Sequence, residues 1–223
     1  AIKEFLPTQN SMVNRIPGTT QVSLINENDR EAYEQAKKKF IEEAQIISNC
    51  GSESIVTIKE YFEENDTAYV VMEYLDGISL REFLSMNDGG MDFDTAMSII
   101  TPVAEALSVM HKKGYIHCNV CPDNIFVCVN QHVKLIDFSG AKKEKADDFT
   151  QDEKSIVTKP GYTPVEQYTS TGKIGTYTDI YALGAVFYNI VSGKTPVESI
   201  VRDEKDTLQK LTKLGINIPV YAD

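Results

Sequence analysis

The sequence predicts an α+β chain in two parts, a small β-rich part followed by a mainly helical one. Three observations carry this. Residues 1–76 read as strand, helix, strand, strand. After Gly77 helical periodicity takes over, so the parts are drawn as 1–76 and 77–223. With 42% apolar and 25% charged residues over 223 positions, the chain has ordinary globular usage and enough apolar surface to bury a core.

Taken in order, residues 1–6 form a short apolar-leaning strand. Residues 7–27 are polar around Pro17-Gly18 and read as a loop. Asn28 or Asp29 caps a helix whose apolar residues, Tyr33, Ala36, Phe40, Ala44 and Ile47, recur at helical spacing up to Asn49-Cys50-Gly51. Residues 55–62 and 67–74 are β-rich stretches around Asn65-Asp66, a hairpin signature. Residues 79–86 form a short helix, broken by Asp88-Gly89-Gly90. Residues 94–113 form a longer one, with Pro102 as an expected kink and Gly114 as its stop. Two short strands, 124–129 and 133–136, flank Asn130-Gln131. A polar stretch runs over 140–158. An apolar helix covers 177–191, ended by Ser192-Gly193, and the tail is weakly patterned.

A net charge of -11 repels phosphate backbones and anionic membrane surfaces, so a nucleic-acid partner is not expected. No apolar run is expected to reach the roughly 18–20 residues of a membrane span. The chain opens on Ala1 inside a strand with no signal peptide, which suggests a piece of a longer protein. Four cysteines, three of them between Cys118 and Cys128, do not form a disulfide framework, and a reducing cytoplasm is the expected compartment.

The chemistry concentrates in residues 115–127 and in Asp137 beyond them. Asn124 opens the second hairpin and Asp137 lies just past its end. A carboxamide and a carboxylate at one edge make an oxygen-ligand pair suited to Mg²⁺. Lys3 on the first strand and Glu43 on the first helix offer a cation and its partner for nucleotide phosphates, in a cleft between the two parts.

These residues resemble the protein kinase superfamily, and most of all bacterial serine/threonine protein kinases. Ala1-Ile2-Lys3 matches the end of the V-A-I-K strand, and Glu43 the helix glutamate that pairs with its lysine. Residues 71–77, with Glu73 and Leu75, resemble the hinge that meets adenine. His117 to Asn124 aligns with H-R-D-x-K-x-x-N, Asp137-Phe138-Ser139 with D-F-G, and residues 160–166 with the segment ending in A-P-E. Asp179 fits the aspartate that anchors the catalytic loop. The resemblance implies a two-lobe kinase-like fold without its first strands and last helices. It also implies ATP as cofactor at Lys3, Glu43, Glu73 and Leu75, Mg²⁺ at Asn124 and Asp137, and a protein substrate or partner in signalling.

The departures fall in one loop. Asn119 stands where the family has its catalytic aspartate, and loss of a general base costs about 10²–10⁴ in rate. Cys121 replaces the loop lysine and Cys118 the adjacent arginine, and Ser139 replaces the D-F-G glycine. The reading is a pseudokinase that binds ATP and Mg²⁺ weakly or not at all. The alternatives are a working kinase that relies on positioning, and a metal or redox switch built on Cys118-x-x-Cys121 with Cys128, His117 and His132. Thr150, Ser155 and Thr158 lie where activation-segment phosphorylation occurs in the family.

Overall fold

The computed structural model describes residues 1–7, 12–87, 90–143, 158–169 and 171–223. It divides into two compact units. One is Ala1–Gly51 with Val56–Leu75, the other Ser52–Ile55 with Asp76–Asp223.

The first unit contains β1 (Ile2–Glu4), β2 (Val13–Arg15), β3 (Val22–Leu24), α1 (Arg30–Cys50), β4 (Ile58–Glu64) and β5 (Thr67–Met72). The sheet order is β1-β5-β4, all antiparallel, with Lys3 opposite Val70. The β4–β5 turn works because Asn65 and Asp66 both take positive φ, 55° and 60°, as a two-residue primed turn demands. α1 lays Phe40 and Ala44 on Ala68 and Val70 of β5. A second cluster joins Tyr33 to Val13 and Val22, and Phe5 belongs to both, with its ring 5.4 Å from Tyr33 and 5.5 Å from Phe40. Gly51 ends α1 at φ 59°, a left-handed position that favours glycine.

Two expectations change here. Residues 7–27 are not all loop: β2 and β3 pair antiparallel across the Pro17-Gly18 turn. Each strand is three residues of mixed polarity, too short to show a period. Nor does Asn28 or Asp29 cap α1 by its side chain. Asn26 accepts from the Asn28 N–H and starts a 3-10 turn, Glu27–Asp29, that leads into the helix.

The second unit holds β6 (Gly77–Ser79), α2 (Leu80–Ser85), α3 (Phe93–Lys112), β7 (Tyr115–Ile116), β8 (Ile125–Cys128), β9 (Val133–Leu135), β10 (Lys142–Lys143), α4 (Thr176–Ser192) and α5 (Ser199–Glu204). One sheet has the order β6-β8-β9, and β7 pairs with β10. Ser79 and Glu82 form a reciprocal capping box that starts α2. Asp92 caps α3, which runs through Pro102 as one element and packs against α4 and β9. The weakly patterned tail does hold structure, α5 and two 3-10 turns.

α3 is the helix that bears on the expectation about apolar runs. It has 20 residues and a mean hydropathy of 1.2, long and apolar enough by composition to cross a membrane. Its Ala96, Ile99, Ile100, Val103, Ala106, Leu107 and Met110 are buried in the core of this unit. An interior helix carries the same composition.

Candidate active site

The segment after β7 is built around a buried carboxylate. Asp179, on the first turn of α4, is fully buried. Its Oδ2 accepts from the His117 N–H at 2.9 Å and meets His111 Nε2 at 2.8 Å, and its Oδ1 accepts from the Cys118 N–H at 2.8 Å. Cys118 takes φ 60°. Two bonds to one carboxylate hold the loop in that unfavourable conformation. From the other side, Gln167 Nε2 donates to the Cys118 carbonyl at 2.8 Å.

The Asn119 backbone follows within this frame. The Asn119 N–H donates to His117 Nδ1 at 3.2 Å, so neutral His117 carries its proton on Nε2. Burial pulls the His117 pKa down and keeps the ring neutral. His117 Nε2 and Asn119 Oδ1 are both buried and lack hydrogen-bond partners among the described residues. Asn124 Nδ2 donates to the Asn119 carbonyl at 2.8 Å, tying the end of the loop to its middle.

The β8–β9 hairpin then places Asp137. Asn124 precedes β8, Asp137 follows β9, and the Ile136 N–H donates to the Asn124 carbonyl at 2.8 Å. Asp137 sits at φ 59°. Phe138 is buried with its ring 4.9 Å from that of His117. A Cβ at Gly140 would lie 3.0 Å from the His117 carbonyl oxygen and 3.1 Å from the Asn119 Cβ, so glycine there lets the chain close on the loop. Asn124 and Asp137 are oxygen donors on adjoining backbone. This donor set fits a hard cation such as Mg²⁺.

Two cations converge on the loop that the sequence reading did not single out. Arg81 on α2 makes a two-pronged ion pair with Asp123, its Nη2 reaching Oδ2 at 3.0 Å. Lys159 Nζ reaches the same Oδ2 at 3.4 Å. The Arg81 guanidinium first, with Lys159 behind it, holds the Asp123 carboxyl below its ordinary range. Cys121 Sγ also lies on that oxygen, at 3.8 Å. Nothing local marks these contacts in the sequence, since the partners stand 42 and 36 positions from Asp123.

The remaining expected residues belong to the first unit. Lys3 Nζ lies 5.7 Å from the centre of the Phe40 ring on α1, and Glu43 follows three residues later on that helix. Glu73 exchanges backbone and side-chain bonds with Thr57: its N–H donates to the Thr57 carbonyl, and its carboxylate accepts from the Thr57 N–H at 2.7 Å. Leu75 is half-buried where the first unit ends. Thr158 is exposed, and Thr150 and Ser155 lie outside the described residues.

The cysteine switch finds no support. All four thiols are buried and unpaired as disulfides. Burial pushes Cys118 up to about 12 and Cys121 up to about 11, so both are protonated at neutral pH. Among the described residues no group of three or more His, Cys, Asp or Glu side chains is placed to hold a metal.

The protein kinase domain family model matches residues 20–220. This chain belongs to the protein kinase family. The kinase domain is 34% identical over 167 residues to a probable serine/threonine-protein kinase of Clostridium perfringens, covering 73% of this chain and 23% of that one. It is 30% identical over 162 residues to the serine/threonine-protein kinase PrkC of Bacillus subtilis, covering 72% and 24%. The solved structure of PpkA-294 in its apo form superposes with a TM-score of 0.78 at 30% identity, covering 96% of this chain and 74% of that one. The fold is therefore kinase-like, β-rich then helical, and the domain is of bacterial serine/threonine type. It spans about a quarter of the length of these two curated relatives.

Proposed function

We propose that this kinase domain is a pseudokinase, catalytically impaired, which serves in signalling as a scaffold or allosteric partner for another protein in the cytoplasm. Asn119 carries the reading. It stands where the family's catalytic aspartate accepts or orients the substrate hydroxyl proton, and its carboxamide Oδ1 can accept a hydrogen bond but cannot take a proton at neutral pH. The neighbouring His117 is buried and neutral, with its one lone-pair nitrogen engaged by the Asn119 N–H. Cys121 is an uncharged thiol where the family's loop has lysine. The frame around Asp179 remains while the groups that would do chemistry are replaced by neutral ones. That combination suits a domain kept for its shape. ATP with Mg²⁺ supplies the transferable phosphoryl group when bound. On this reading Asn124 and Asp137 hold the metal, Lys3, Glu43, Glu73 and Leu75 the nucleotide, and both bind weakly or not at all. The parts 1–76 and 77–223 correspond to the two lobes.

Phosphotransfer by the full-length protein and by its Asn119→Asp variant tests this. The wild type is expected to transfer no phosphoryl group above background, and the variant to stay within about tenfold of it. A second reading, a slow but working kinase, draws on the adjoining oxygen donors Asn124 and Asp137. It predicts measurable wild-type turnover and a gain of about 10²–10⁴ on restoring the aspartate. Turnover by the wild type rejects the pseudokinase.

A further inference from the structure

The loop without its lysine is not without a cation. We propose that Lys159 is a phosphate-binding residue of this domain, delivering from the segment before α4 the positive charge that Cys121 cannot, to the terminal phosphoryl group of a nucleoside triphosphate. The thiol of Cys121 and the ammonium of Lys159 meet the same atom, Asp123 Oδ2, at 3.8 and 3.4 Å. The charge therefore arrives beside the position that lost one, from 38 residues further along the chain.

Three features make Lys159 more than a surface lysine. Its backbone is fixed. The Lys159 N–H donates to Thr163 Oγ1 at 2.7 Å, and its carbonyl accepts from the Tyr162 and Thr163 N–H groups at 2.9 and 3.0 Å. That turn is pinned in the core by the Tyr162 hydroxyl, which donates to Asn189 Oδ1 at 2.9 Å, and by the Ser199 hydroxyl, which donates to the Thr163 carbonyl at 2.7 Å. Its charge is also under-compensated. Asp123 already takes both prongs of Arg81, so one carboxylate faces two cations and a net positive charge remains. Finally, Lys159 is accessible, with 36% of its side chain exposed, and it makes no other ion pair among the described residues. An anion that displaces or shares Asp123 finds at least one ammonium donor ready.

The inference rests on nucleotide reaching this site and not on whether phosphoryl transfer follows. Its test is therefore binding. The full-length protein and its Lys159→Gln variant are titrated with Mg-ATP and with Mg-ADP, reading affinity from the rise in melting temperature. Wild type is expected to favour the triphosphate. Lys159→Gln is expected to lose about tenfold in ATP affinity and less than about twofold in ADP affinity, the loss of one charge-assisted contact. Cys121→Lys added to Lys159→Gln is expected to restore the preference. An unchanged ATP-to-ADP ratio in Lys159→Gln overturns the assignment. So does the absence of any shift with either nucleotide in the wild type, an outcome that leaves the scaffold reading standing. Conversely, turnover by the wild type would reject the pseudokinase and leave the Lys159 assignment intact.

Discussion

At the residue scale, two buried thiols set an alkaline limit on the second unit. The ordinary thiol value is 9.0, and burial raises Cys118 to about 12 and Cys121 to about 11. Below the unfolded value both states hold the proton, and the thiols leave stability unchanged by pH. Above it the unfolded thiols ionise while the folded ones do not, so stability drains away from about pH 9 upward. The urea midpoint is expected to fall between about pH 9 and 11, and to fall less in a Cys118→Ala/Cys121→Ala double variant. An equally steep fall in the double variant would place the effect elsewhere. The same burial is expected to keep thiol reagents off the native protein at about pH 8 while they label it fully in denaturant. Residue chemistry was the most legible layer of the sequence: Asn119, Cys121 and Cys118 stand out as departures within an ordered motif. Lys159 and Arg81 were invisible because their meaning lies in a contact made across tens of residues.

At the element scale, legibility followed length and punctuation. The β4–β5 hairpin was readable because Asn-Asp is a pair that tolerates positive φ. α1, α3 and α4 were readable because each repeats its apolar face over at least four turns. β2, β3, β6, β7 and β10 are two or three residues long, too short for a local period to announce them, and β6, β7 and β10 exist through pairing with distant strands. The turn still carries a cost that can be removed. Asp66 at φ 60° needs no side chain of its own, since Tyr33 bonds to its backbone carbonyl at 2.7 Å. Asp66→Gly is expected to stabilise the protein by about 0.5–1 kcal/mol, seen as a higher urea midpoint at unchanged slope. A loss of stability would show that the aspartate side chain does work the turn depends on.

At the scale of the whole molecule, sequence character separated a β-rich from a helical part, and the comparisons place both in one family fold. The family resemblance pointed to Asp179 as the anchor of the loop after β7, and its carboxylate takes the His117 and Cys118 N–H groups; what no sequence pattern supplied is that His111 of α3 meets the same buried carboxylate. Asp179→Ala strands two backbone N–H groups in a dry interior and is expected to cost about 3 kcal/mol or more. Hydrogen exchange checks this, with the His117 and Cys118 amides expected to lose the most protection. Retained protection there would mean that other contacts hold the loop.

The ties on either side of residues 144–157 reach a further consequence. Upstream, Lys142 and Lys143 pair with Ile116 and Tyr115. Downstream, Lys159 and Gln167 bond to Asp123 and to the Cys118 carbonyl. Both banks of that stretch are moored to residues 115–123. A loop held from both flanks has two independent supports, so losing either tie is expected to leave its backbone in place while losing both releases it.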